Sequence, residues 1–319
     1  MDIVKLLAYV FIFPGFLFLL FYSLFCEWVD RKLYARMQHR VGPPWFQPFA
    51  DFIKLLAKED IEPAKASHRP FHYAPLFALA AVAVAIVCIP VWKNQALLPF
   101  PGDLIVVVYF LSSVPAFAIF IGAWKSRNFF AEVGVVRAMT QVFSYEIPFI
   151  LAVLSVAIVS GSWSITEIAS KQAGLHWYLF TVPIGFILAL IGLLCKLERI
   201  PFDIPEAETE IVAGPFIEYS GRKYAMFRLM FDIEMVVGGA LICALFLGGF
   251  TPLFSGAPVW TGIFMFIIKT LIIVFLLSLI KSLFARIKIK QLVSFSWKWL
   301  VPLGLLQIFI ALIMRGVIG

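Results

Sequence analysis

The sequence predicts an all-α integral membrane protein with about eight transmembrane helices and an amphipathic helix on one membrane surface. Three observations predict it. Of 319 residues, 62% are hydrophobic and 14% charged, too little polar cover for a water-soluble globule. Uncharged runs recur at the roughly 20 residues a helix needs to cross about 30 Å of hydrocarbon. The basic residues gather in alternate loops, the pattern that orients a polytopic chain in a bilayer.

Taken in order, uncharged runs at 6–26, 73–92, 104–124, 147–166 and 172–195 predict five spans. The first is too long for a signal-peptide core, and Phe25 stands where a small residue should precede cleavage at Cys26, so it reads as a retained span. Residues 235–268 are too many for one helix, and the turn formers between Gly248 and Pro258 break them. That leaves a sixth span and a seventh at about 260–280. The run 299–314 is short, but Lys298 and Arg315 flank it and can snorkel to the interfaces, making an eighth.

An even number of spans puts both termini on one side. Loops one-two, three-four, five-six and seven-eight hold 21 of the 26 Lys and Arg residues, so these loops are expected in the cytoplasm and both termini outside. The chain reads as one membrane domain, 1–319, multi-pass in the cell membrane. Loops 27–72 and 196–230 are its only sizeable extramembrane segments and its expected docking surfaces.

Within the first of these loops, Phe49, Phe52, Ile53, Leu56 and Ala57 share one helical face, and Asp51, Lys54 and Lys58 the other. That describes a helix lying in the interface. Gly42-Pro43-Pro44 stops the first span from running into it, because proline lacks an amide donor and restricts its predecessor. The density of Arg31, Arg36, Arg40, Trp45, Gln47, Asp51 and Lys54 marks a surface for a soluble partner; an ordinary interfacial helix without one is the plainer alternative.

The net charge of +7 follows membrane topology, and no compact basic domain exists to hold nucleic acid. Cys26, Cys88, Cys195 and Cys243 are isolated, with no paired spacing for zinc or an iron–sulfur cluster. His39, His68, His72 and His176 are scattered, and no catalytic triad or phosphate loop is present. The chain is therefore expected to carry no catalytic centre, metal or cofactor of its own.

Acids near hydrocarbon normally face a cavity or a partner. Glu146 opens the fourth span just before Pro148, either as an ion relay or as a helix-start acid favoured by the dipole. Lys269, about ten residues into the seventh span, needs a carboxylate or gives up its proton. The densest acidic segment runs from Arg199 through Asp203, Glu206, Glu208 and Glu210 to Glu218, with Asp232 and Glu234 beyond. A helix capped by Asp203, with Glu206 in capping-box register, would align Asp203, Glu206 and Glu210 on one face. Mutual repulsion would then raise at least one proton affinity. A solvated acidic helix start is the plainer reading.

Three segments, Glu27 to Pro63, Arg199 to Tyr219, and Arg286 to Pro302 with its Trp297-Lys-Trp-Leu-Val-Pro, resemble the H-type membrane subunit family of respiratory complex I, the NADH-quinone oxidoreductase. The family's relatives include the membrane anchors of energy-converting membrane-bound hydrogenases and sulfane sulfur reductases. The resemblance covers essentially the whole chain. It implies a hinge between a redox arm and an ion-pumping membrane arm, with Glu27, Glu146, Glu206, Glu208, Glu210 and Glu218 on a polar path. It also implies docking through the loops that carry Gly42, Pro43, Arg199 and Arg286. The implied partners are nickel–iron hydrogenase-like and iron–sulfur subunits, which would hold the nickel–iron centre and clusters, and antiporter-like membrane subunits.

Two departures bear on the substrate. Quinone-reducing members carry a longer insert after their Gly-Pro-Asn, whereas Gly42-Pro43-Pro44-Trp45-Phe46 runs straight into Gln47-Pro48; and Lys290 replaces the usual Asp before Gln291-Leu292. The expectation is a membrane anchor and coupling subunit of a ferredoxin-dependent, membrane-bound hydrogenase type of ion-translocating oxidoreductase. The alternatives are the equivalent subunit of a quinone-reducing complex I and that of a sulfur-reducing relative. A free-standing secondary transporter is disfavoured, since no internal repeat is visible.

Overall fold

The computed structural model describes residues 9–64, 66, 68–91, 96–172, 176–206, 208–250 and 260–318, and only the backbone of 68, 208, 209, 260, 317 and 318. The breaker segment expected between the sixth and seventh spans therefore lies mostly outside the described residues, as does the side chain of Glu208.

The described residues form helices and no strands: α1 (Phe16–Met37), α2 (Gln47–Ala57), α3 (His68–Ala85), α4 (Asp103–Leu111), α5 (Ser113–Trp124), α6 (Phe129–Ser160), α7 (Ile165–Ser170), α8 (Tyr178–Thr181), α9 (Pro183–Lys196), α10 (Glu208–Ile211), α11 (Gly221–Phe246), α12 (Trp260–Leu283), α13 (Ile289–Phe295) and α14 (Val301–Ile318). Among the described residues, seven apolar helical stretches are long enough to cross a bilayer, α4 with α5 forming one and α13 with α14 another; α9 is a shorter apolar helix in the place of the fifth expected span. The predicted order of eight stands, and the boundaries move.

The largest shift concerns Glu146. The sequence places it at a helix start; the structure places it, with Pro148, in the middle of the 32-residue α6. Asn128 caps that helix by accepting from the Phe130 amide at 2.8 Å. The segment before Glu146 is helical because Ala131, Val135, Ala138 and Val142 form a buried stripe at helical spacing. Glu132 and Arg137 interrupt the uncharged run, and with the polar Gln141 they hide that stripe. Contact is close here: a Cβ on Gly134 would meet the Gly214 backbone at 2.7 Å.

Helix α11 is the axis of one half of the fold. Its most apolar window is 89% buried, against 22% for the last span, and it packs on α1, α2, α3 and α12. The other half gathers around α6, which packs on α9, α14 and α5. The surface helix α2 carries Pro48 in its first turn and sets Phe49 and Phe52 onto the core. Ile53 and Leu56, from the same apolar face, stay exposed. Trp28 ties the preceding turn back to α1 by donating from Nε1 to the Pro43 carbonyl at 3.3 Å, and Gly42 takes the left-handed conformation (φ 73°) that the turn requires.

Candidate functional site: a buried charge cluster and its branches

Four elements meet at the basic-loop end of the bundle. Glu27 and Asp30 sit one turn apart on α1, both buried. Arg199, from the segment after α9, bridges them, donating from Nη2 to Glu27 Oε2 and from Nη1 to Asp30 Oδ2, each at 2.5 Å. Helix α12 closes the other side, with Lys281 Nζ at 3.2 Å from Asp30 Oδ2 and the Ser278 hydroxyl donating to Asp30 Oδ1. Arg31 extends the cluster outward, donating from Nε to Glu27 at 2.7 Å and from Nη1 to Asp51 of α2 at 3.0 Å. Gln47 holds the other Asp51 oxygen at 3.1 Å. Acids and bases alternate, so each buried charge has an opposite neighbour, the condition under which charges survive removal from water. Burial opposes the charge on Arg199, and Asp30 and Glu27 more than offset it, so its guanidinium is held above its ordinary value.

Beside the cluster lies a cavity of about 200 Å³ lined by Glu27, Glu198, Asp203, Glu206, Arg228 and Asp232, among others. The acidic segment flanking it differs from the expected helix. Residues 200–206 are turns and extended chain, and only Glu208–Ile211 is helical. Pro201 and Pro205 remove two amide donors from what would be the first turns. Asp203, Glu206 and Glu210 therefore do not stack on one face. Each meets its own cation: Asp203 pairs with Arg286, Glu206 lies 3.8 Å from Arg228 of α11, and Glu210 is 2.5 Å from Arg137 of α6. Repulsion is replaced by pairing, and the hydrogen bond from Arg137 holds the Glu210 carboxyl below its usual range. Glu218 accepts from the Asn128 side chain at 2.5 Å.

Deeper in the bundle, Lys196 at the end of α9 and Glu234 of α11 form a buried ion pair at 3.2 Å. Glu146 lies farther along α6, accepting from the Ser113 hydroxyl at 2.7 Å. It lines a mainly apolar cavity of about 260 Å³ with Ile105, Tyr109 and Trp163. Lys269 departs from expectation. Among the described residues it meets no carboxylate; its ammonium donates to the Leu247 and Gly249 carbonyls at 2.6 and 2.7 Å and sits 5.2 Å from the Trp177 ring centre. Carbonyls left over where α11 ends supply the partners, so Lys269 serves as a helix cap.

Of the docking candidates, Arg31, Gln47, Asp51 and Arg199 are used internally, Pro43 anchors Trp28, and Arg286 pairs with Asp203. Arg36, Arg40, Trp45 and Lys54 remain exposed. Sequence reasoning missed Asp30, Lys196, Glu198, Arg228 and Lys281. Asp30 was findable, since it stands three residues after Glu27 on the same helix.

Residues 9–312 match the NADH dehydrogenase family. The NADH-quinone oxidoreductase H-type membrane subunit of Thermomicrobium roseum is 37% identical over 307 residues, spanning 89% of each chain. That of Carboxydothermus hydrogenoformans is 35% identical over 304 residues, spanning 92% of this chain and 85% of the relative. Among solved structures, a chain of the membrane-bound sulfane sulfur reductase, an archaeal respiratory membrane complex, superposes with a TM-score of 0.84 at 26% identity, spanning 92% of this chain and 96% of that one. The chain belongs to the NADH dehydrogenase family, with the H-type subunits of NADH-quinone oxidoreductases among its homologues, and is a multi-pass membrane subunit of an oxidoreductase complex.

Proposed function

We propose that this chain is the non-redox anchor that couples a peripheral redox arm to ion translocation across the membrane. The observation that carries the reading is the run of ionisable side chains from the Glu27–Asp30–Arg199–Lys281 cluster, through the Lys196–Glu234 pair, to Glu146. Buried charge on this scale costs folding free energy unless it is used or fully paired. The exposed Arg36, Arg40, Trp45 and Lys54 supply the docking surface for the arm on the cytoplasmic side. A change of charge at the docked active site alters the Arg pairings of Asp203, Glu206 and Glu210, and the imbalance is passed through Arg199 to the buried cluster and on to Glu146.

The short Gly42–Gln47 connection and Lys290 support an arm of the ferredoxin-dependent, membrane-bound hydrogenase type, with a nickel–iron centre and iron–sulfur clusters in partner subunits and antiporter-like subunits alongside. A sulfur-reducing arm is the second reading, favoured by the likeness to the sulfane sulfur reductase chain. The test is to purify the native complex through a tag on this chain and measure nickel and iron, then ion translocation per turnover with Glu146→Gln. Nickel with iron supports the hydrogenase arm, and iron alone supports the sulfur-reducing or a quinone-reducing one. Neither metal in an intact complex refutes a redox arm, and wild-type coupling in Glu146→Gln refutes the path.

A further inference from the structure

Helix α9 ends at Lys196, and the chain turns sharply at Glu198, whose φ of 49° lies in the left-handed region that few non-glycine residues occupy. This turn sets the Glu198 side chain between two cavities. One is the 200 Å³ acidic cavity, where Glu198 stands with Asp203, Glu206 and Asp232. The other is a space of about 20 Å³ lined by Ser112, Tyr145, Lys196, Glu198 and Glu234, among others. No other acid among the described residues lines both.

One Glu198 oxygen, Oε2, is sealed from solvent and has no hydrogen-bond partner among the described residues; the Ser112 hydroxyl of the small cavity is in the same condition. A buried carboxylate oxygen without a donor is disfavoured unless it is protonated or meets water. The small cavity has room for about one water molecule, and its polar walls give that water the partners it needs. Beyond Ser112 the next residue, Ser113, already holds Glu146 at 2.7 Å. The groups facing Glu198 are Arg199, Asp203 and Glu206 from its own segment, Glu234, Asp232 and Arg228 from α11, Lys196 from α9, Tyr145 from α6, and Glu27 and Lys281 across the larger cavity.

We infer that Glu198 is a proton-carrying side chain, linking the acidic cavity to the Lys196–Glu234 pair through one water in the small cavity. The inference rests on the coupling reading above and adds the residue that bridges its two parts. In the step itself the Glu198 carboxylic acid gives its Oε2 proton to the water, and the water passes one of its own to the Glu234 carboxylate. Glu198 is left as carboxylate, Glu234 as acid, and the water is unchanged. Glu198 then regains a proton from the acidic cavity, and no electron moves. Burial, followed by the carboxylates of Glu206, Glu234 and Asp203, pushes the Glu198 carboxyl well above its usual range, in the same direction as the sealed, donor-free Oε2, which favours the acid form.

The test uses the whole complex in liposomes, with Glu198→Gln, Glu198→Asp and Glu146→Gln, read by infrared spectroscopy of protonated carboxyls at pH 7 and by ion translocation per turnover. Glu198→Gln is expected to remove one protonated-carboxyl band and to slow coupled translocation by about a hundredfold, the scale of a lost proton-transfer group. Glu198→Asp keeps a band and part of the rate, which a merely structural role would not require. A band that survives in Glu198→Gln overturns the inference, and so does wild-type translocation in that variant. If Glu146→Gln remains uncoupled while Glu198→Gln translocates normally, the inference fails alone. If both translocate normally, the coupling reading fails with it.

Discussion

Replacing Asp30 by Asn tests whether charge pairing holds α1, the Arg199 segment and α12 together. Asp30 is 1% exposed, with Arg199 at 2.5 Å, Lys281 at 3.2 Å and the Ser278 hydroxyl on its other oxygen. In the wild type, Glu27, Asp30 and Asp51 balance Arg31, Arg199 and Lys281. Asparagine keeps the volume and removes the charge, leaving Arg199 and Lys281 to share Glu27. Coulomb attraction across the Lys281–Asp30 contact is about 5 kcal/mol at an effective dielectric near 20, and desolvation offsets part of it. Breaking a buried pair on one side costs about 3–5 kcal/mol, which shifts the folding equilibrium more than about a hundredfold. Lys281→Met should cost less, because Asp30 keeps Arg199 and Ser278. The double variant should recover about 1–3 kcal/mol relative to the sum of the singles. The assay is equilibrium unfolding of the chain in lipid bicelles for all four species. A cost below about 1 kcal/mol for Asp30→Asn, or single costs that add within about 0.5 kcal/mol, would refute the pairing argument.

Two further outcomes follow from other contacts. Glu210 is held below its ordinary value near 4.5 by Arg137, so its pairing stabilises the fold above the unfolded-state value and that contribution is lost as pH falls through the lower folded one. Thermal midpoints measured from about pH 6 down to about pH 3, bracketing the unperturbed carboxyl range, should fall more steeply for wild type than for Glu210→Gln, and parallel curves would show the pair inert. Lys269→Met removes the donor to two carbonyls and should destabilise the chain by about 1.5–3 kcal/mol. Ions per turnover should not change, because the ammonium caps α11 and touches no described acid; a changed stoichiometry would return Lys269 to the ion path.

The spans were legible in the sequence because hydrocarbon excludes charge whatever the neighbours are, so a run such as 104–124 reports its own environment. The polar chemistry was not legible in the same way. Asp203, Glu206 and Glu210 carry clear spacing, yet their cations Arg286, Arg228 and Arg137 come from other parts of the chain, and local spacing shows the repulsion without the pairing. Glu146 was found for the right residue type and the wrong place, since the polar residues of α6 mask its buried stripe. Lys196 and Glu198 stand just before the visible Arg199, but only the left-handed turn at Glu198 reveals that they enter a common cavity.

The paired charges divide into two mechanical classes. The loop pairs are accessible to solvent, with Glu210 57% and Arg137 27% exposed at the side chain, and water screens such pairs until they add little to stability. The cluster around Asp30 is largely buried, and losing one member there leaves an uncompensated buried charge. A displacement at the basic-loop face would therefore reach the pairs of Asp203, Glu206 and Glu210 before the cluster. The two are joined covalently and by hydrogen bonding: Arg199 lies four residues before Asp203, and the Pro201 carbonyl between them accepts from the Ile287 amide at 3.0 Å, beside the Arg286 that holds Asp203. Displacement of the loop consequently pulls on the one side chain that bridges Glu27 and Asp30. In the proposed coupling, that asymmetry, an exposed segment attached to a buried charged centre through Arg199, would let a small change at the surface alter the buried charge balance without unfolding the bundle.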